Sequence, residues 1–139
     1  MVDAALINAG DFAAIEELTR TAVYTMLGFE LAHVGINESD ETKANNTAKS
    51  FSNLFGFAHK PGNSSVFAGT YIEVMKTPYL GANGHIAIRT NYIERAVHFL
   101  KSNGVIFNEE SAKYNDKGKF AAIYLKDEIG GFAVHLVQK

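Results

Sequence analysis

Four ionisable side chains recur at matching places in this chain: His33, Glu73, His85 and His135. Each sits in a short run that alternates as a β-strand does, with successive side chains on opposite faces. Around the first, Ala32, Val34 and Ile36 share one face, and His33 lies with Gly35 and Asn37 on the other. Around the second, Ile72 and Val74 share a face, and Glu73 lies with Tyr71 and Met75. Ile86 and Ile88 oppose His85, Ala87 and Arg89; Phe132, Val134 and Leu136 oppose Ala133, His135 and Val137. One face of every run is wholly apolar and suits packing beneath a helix. The other is mixed or small and carries the ionisable residue. Strands lying side by side in a curved sheet would turn these second faces into a cleft. There the three imidazoles and the carboxylate would form a ligand set for zinc or a neighbouring divalent transition metal. For any one of them alone the alternative is a satisfied structural residue. His59, by a turn, and His98, in a helical segment, read as surface or structural histidines.

The elements that must position these residues fall into a repeat. A leading helix starts at the Asp11 cap, carries Phe12, Ile15, Leu18, Ala22 and Met26 at steps of three and four, and stops at Gly28. A strand over residues 31–37 follows, then a helix capped by Ser39 or Asp40, ended by Gly56 and lined with Ala44, Ala48, Phe51 and Phe55. Strands are expected at 57–60, 65–68 and 70–76. Residues 78–84, with a proline and two glycines, read as a linker. The pattern then restarts: a strand over 84–89, a helix opened by an Asn91/Glu94 capping box and stopped near Gly104, a short strand at 105–107, a turn at 115–118, and strands at 120–126 and 132–138. His33 and His85 are offset by 85 − 33 = 52 residues, and Glu73 and His135 by 135 − 73 = 62. The fold class is therefore α+β: tandem βαβββ modules forming a curved mixed sheet with a half-barrel cleft, preceded by an N-terminal helix. The organisation is a helical segment over residues 1–29 and a paired-module domain over 30–139, with modules 30–78 and 83–139. Each half is too small for a good core of its own and must pair with the other or across a dimer.

Composition narrows the chemistry. The 139 residues carry 13 Lys and Arg against 15 Asp and Glu, so no basic excess exists to track phosphates, and no nucleic-acid partner is expected. Cysteine is absent, which excludes disulfides, thiolate metal sites and a Cys nucleophile. The first six residues lack the basic and apolar regions of a secretory signal. No apolar run approaches the roughly 20 residues that span a bilayer. A cytoplasmic protein with no membrane partner is expected. Arg89, on the face of His85, and Tyr71, on the face of Glu73, are the candidates to touch an anionic substrate. Lys60, Lys76, Lys113 and Lys119 are cations that could hold a carboxylate or phosphate, with solvated surface the preferred reading.

The ordered strings Leu31-Ala32-His33-Val34-Gly35, Tyr71-Ile72-Glu73-Val74, Gly84-His85-Ile86-Ala87-Ile88 and Gly131-Phe132-Ala133-Val134-His135-Leu136 resemble the vicinal oxygen chelate, or glyoxalase I, superfamily. The resemblance implies a sheet curved around a divalent metal (zinc, nickel, cobalt, manganese or iron) that holds two neighbouring oxygens of a substrate. It places His33, Glu73 and His85 at ligand positions. His135 stands where glyoxalases usually have a Glu that is both ligand and base. Three neutral His with one Glu leave a divalent site at +1, which suits an anionic chelate such as a 2-oxo or 2-hydroxy acid. Glu73 and His135 are the candidates for proton transfer. A homodimer is expected. Residues 1–28 are similar to the C-terminal stretch of bacterial 2-keto-3-deoxy-6-phosphogluconate aldolases, some of which carry such a domain behind them. Two functions follow. The first is a lyase- or isomerase-type enzyme of the glyoxalase superfamily. The second is a non-catalytic metal- or sugar-acid-binding module associated with an aldolase.

Overall fold

The computed structural model describes residues 3–139; Met1 and Val2, which open the aldolase-like stretch, lie outside the described residues. The chain runs α1 (Ala4–Ala9), α2 (Phe12–Leu27), β1 (Glu30–Asn37), α3 (Glu41–Phe55), β2 (His59–Pro61), β3 (Ser65–Ala68), β4 (Ile72–Met75), β5 (His85–Thr90), α4 (Ile93–Ser102), β6 (Phe107–Tyr114), β7 (Phe120–Leu125) and β8 (Ala133–Gln138). After the leading helices this is βαβββ twice. The eight strands form one curved mixed sheet in the order β2-β3-β4-β1-β5-β8-β7-β6. Within each module the first and last strands pair in parallel, β1 with β4 and β5 with β8. The modules join through the antiparallel pair β1–β5. The strands bearing the four ionisable residues are thus the central four. No helix among the described residues is long and apolar enough to cross a membrane.

Local chemistry accounts for the helix ends. The Asp11 carboxylate accepts from the Ala14 N–H at 3.0 Å, and the Asp40 carboxylate from the Lys43 N–H at 2.8 Å. Gly28 and Gly56 close α2 and α3 at positive φ. The leading helix expected from the Asp11 cap to Gly28 is α2, and a short helix precedes it. Gly10, also at positive φ, ends a first short helix capped by Asp3, and Asp11 then starts the second. The Asn91/Glu94 capping box is not formed. The Asn91 amide donates instead to the Met26 carbonyl, and Gln138 Oε1 takes the Ile93 N–H. A tertiary partner displaces the local one at both groups. The strand expected at 105–107 is β6, eight residues long. It lies at the sheet edge, where Asn108, Glu109 and Glu110 can face water and erase the alternation.

Two cores lie under the helices. In the first module Ala44 and Ala48 of α3 meet Val66, Ala68 and Val74, small residues that bring helix and sheet close together. In the second, Ile93, Ala96 and Val97 of α4 meet Phe107, Ile123 and Leu136, and Leu27 from the end of α2 joins them fully buried. The Thr90 hydroxyl donates to the Leu27 carbonyl at 2.7 Å, fixing that end of α2 to β5. The rest of α2 is far more open: Phe12 is 74% exposed and Leu18 50%.

Candidate metal centre

Register builds the site. Across the sheet Glu73, Gly35, His85 and Ala133 stand in one row, and His33, Ala87 and His135 in the next. Each ionisable side chain has glycine or alanine beside it on at least one neighbouring strand, so the large groups lean over small neighbours and meet. Gly35 is required for this. A Cβ there would overlap the His85 ring. The histidine rings form a triangle with centroids 5.3 Å apart for His33–His85, 5.6 Å for His33–His135 and 5.3 Å for His85–His135. One ring nitrogen from each lies within 4.8 Å of those of the other two.

Glu73 faces two of them. Its Oε2 is 2.9 Å from His33 Nε2 and 3.1 Å from His85 Nε2, and its Oε1 accepts from the Ser65 hydroxyl at 2.6 Å. The His33 approach is close but off the hydrogen-bonding direction, so that nitrogen is left unsatisfied. Burial opposes ionisation of Glu73. The neighbouring His33, His85 and Ser65 outweigh it and hold the carboxyl well below its usual range. His135 is the opposite case. Burial, reinforced by His85 and His33, pushes it down to about 3, so it is uncharged at neutral pH. Its ring stacks on Tyr124, with centroids 4.4 Å apart and planes 18° apart. Both of its nitrogens are buried without a hydrogen-bond partner, as is His85 Nδ1.

These residues fit a divalent ion. Ligand atoms bound to one ion at about 2.0–2.2 Å lie roughly 3 Å apart, the separation of Glu73 Oε2 from the two Nε2 atoms. Unpartnered buried nitrogens each cost on the order of 1–3 kcal/mol, and here they cluster at one place on three imidazoles. All four residues come from a single chain. Above them a cleft of about 360 Å³ is walled by Met75, Thr77, Tyr79, Lys113 and Tyr124.

The sequence-derived site residues fare differently. His33, Glu73, His85 and His135 all come together at the cleft. Arg89 shares the face of His85 but sits farther along β5. Its guanidinium reaches the Ala32 carbonyl at 3.3 Å, and it does not line the cleft. Tyr71 is exposed just before β4, also outside the lining. Lys113 is exposed, as the sequence reading has it, and it also stands on the cleft wall, because β6 runs on to carry it there. Tyr79 and Tyr124 were missed. Tyr124 alternates with Ala122 along β7 and could have been found by the same face argument; Tyr79, in the linker, has no periodicity to betray it. His98 is exposed on α4, whereas His59 is partly covered on β2.

No protein-family profile and no curated protein matches the chain. Solved structures do match in fold. A hypothetical protein from Bacillus halodurans C-125 superposes with a TM-score of 0.56 at 16% identity, covering 80% of this chain and 94% of its own. Methylmalonyl-CoA epimerase from Mycobacterium tuberculosis gives 0.55 at 18% identity, covering 81% of this chain and 89% of its own. A methylmalonyl-CoA epimerase in complex with methylmalonyl-CoA and an ammonium ion gives 0.56 at 17%, covering 78% and 93%. The chain therefore has the vicinal oxygen chelate fold.

Proposed function

We propose that this chain is a divalent-metal-dependent enzyme of the glyoxalase superfamily that moves a proton on a small 2-oxo or 2-hydroxy acid. The observation that carries the reading is the cluster of three imidazoles with unpartnered buried nitrogens beside an ionised carboxylate. His33, His85 and His135 would hold the ion, with Glu73 as fourth ligand. Bound there, zinc, nickel, cobalt, manganese or iron supplies Lewis acidity for negative charge developing on a substrate oxygen.

The chain's own groups handle the proton. Glu73 is ionised and can accept one, with Ser65 fixing its far oxygen. His135 is uncharged and unattached at both nitrogens, so it can stay a neutral ligand, while its burial opposes its taking a proton. The net positive charge of three neutral His and one Glu on a divalent ion favours an anionic ligand. The fold neighbours' acyl-CoA ligand, methylmalonyl-CoA, also presents a carboxylate beside a carbonyl oxygen, so it belongs with the candidate substrates.

The test is metal content followed by proton exchange. Chelator-stripped protein should take up about one zinc, nickel or manganese per chain, as the single ligand set implies, and His85→Ala should take up none. The loaded wild type should then exchange the α-proton of a member of a panel of 2-oxo acids, 2-hydroxy acids and methylmalonyl-CoA for solvent deuterium. Failure of wild-type uptake ends the proposal. Uptake without exchange favours a second reading, supported by the exposed Ile7, Phe12, Leu18, Tyr24 and Met26 of α1 and α2. That reading is a binding module docked through its leading helices, with an aldolase as the partner that the sequence resemblance implies.

A further inference from the structure

Among the described residues, one lysine stands on the wall of the cleft. Lys113 lines it and is absent from the ion pairs among the described residues, where Lys76, Lys101, Lys139 and Arg20 each have a carboxylate. Its ammonium stands 5.9 Å from the centre of the Tyr79 ring. Both sides of this arrangement are built. Tyr79 lies in the inter-module linker, and the Asn37 amide donates to the carbonyls of Tyr79 and Gly81 at 3.1 and 3.2 Å, tying that linker to β1. Lys113 pairs with Ala122 of β7, and the β6 register is irregular on both sides of it. Such bulges re-aim side chains and gather next to ligand sites. The next strand residue on that wall, Tyr124, stacks on His135, so the lysine wall is continuous with the histidine cluster.

We propose that Lys113, braced by Tyr79, is a second anion-binding subsite that selects ligands bearing a carboxylate or phosphate group in addition to their chelating pair of oxygens. The proposal rests on the metal-centred reading above, because the chelating pair defines the other end of the ligand. It makes the substrate class a dianionic or more highly charged acid rather than a simple monoacid. A lysine ammonium accepts either anion as a point charge and does not demand the planar geometry that arginine matches. A single such contact discriminates by about tenfold or more.

Three probes share one 2-hydroxy-acid end and differ at the next carbon: lactate has a methyl, malate a carboxylate, 3-phosphoglycerate a phosphate ester. Zinc-loaded wild type and zinc-loaded Lys113→Met are titrated with each by calorimetry, and zinc content and melting temperature are measured on the same samples. The wild type should bind malate, 3-phosphoglycerate or both about tenfold more tightly than lactate, and which of the two gains identifies the anion. In Lys113→Met that preference should fall to within about twofold, with lactate affinity, zinc content and melting temperature unchanged, while Lys113→Arg should keep part of it. A wild type that binds zinc but shows no preference, or a preference that survives Lys113→Met, overturns the subsite and leaves the metal site standing. A wild type that takes up no zinc overturns both.

Discussion

Glu73 and His135 close the two modules at equivalent places in the repeat, and they live in opposite chemical states. Glu73 is ionised and held by Ser65 and two histidines, whereas His135 is neutral, stacked on Tyr124 and bonded to nothing. The backbones beneath them are alike: each sits across a small residue, Gly35 or Ala87, from the other members of its row. The asymmetry is therefore one of side chains on a repeated frame. The cores repeat it, with alanines under α3 and larger residues, helped by Leu27, under α4. The strand pairing places the site, while each half fills its core in its own way.

Cutting into each core gives the largest test of this contrast. Leu27→Ala should cost about 3 kcal/mol by opening a cavity in the second core, lowering the melting temperature by roughly 10 °C. Val74→Ala, in the tighter first core, should cost about 2 kcal/mol. Equal losses, or a larger one at Val74, would mean that the leading helix is not part of the second core's support.

The next pair exchanges the small residues of the two rows. Gly35→Ala forces the His85 ring aside and should cost about 1–3 kcal/mol, with metal affinity reduced at least about tenfold as a ligand is misaligned. Ala87→Gly, the repeat-equivalent change, removes a methyl that obstructs nothing and should cost under about 1 kcal/mol. Isothermal titration with zinc and thermal melts of both variants check this, and a Gly35→Ala variant with intact uptake would break the row argument.

The smallest effect is at α3, whose N-cap residue caps it with its own side chain, whereas that of α4 does not. Hydrogen bonds from the Lys43 N–H and the Ser39 hydroxyl lower the Asp40 pKa. A lowered folded-state value means stability that is present above the unfolded value and is lost as pH falls through the folded one. Asp40→Ala should therefore melt a few degrees below wild type at pH 7. The gap should close in acid below the ordinary aspartate range, and a gap independent of pH would assign the effect to something other than the carboxylate.

The convergence of His33, Glu73, His85 and His135 was legible because two signals coincided: strand alternation put each on the non-helix face, and the repeat offsets put them in register. The Asp11 and Asp40 caps and the Gly28 and Gly56 stops were legible because they act within one turn. What stayed hidden depends on partners distant in sequence. Asn91 looked like a cap, but its amide is taken by Met26 and its expected role by Gln138. β6 lacks alternation because its edge position lets Asn108, Glu109 and Glu110 face water, so its run out to the Lys113 end was not legible. Tyr79 is held by Asn37 from 42 residues away, a contact that no local pattern announces.

The central pair β1–β5 is the seam between the halves, and the site lies across it. His33 and Glu73 belong to one half, His85 and His135 to the other. Any ligand gripping all four acts as a rivet through that seam. Neither half can then come apart without releasing it, so the occupied protein should unfold as a single cooperative unit, stabilised further with each rise in free ligand.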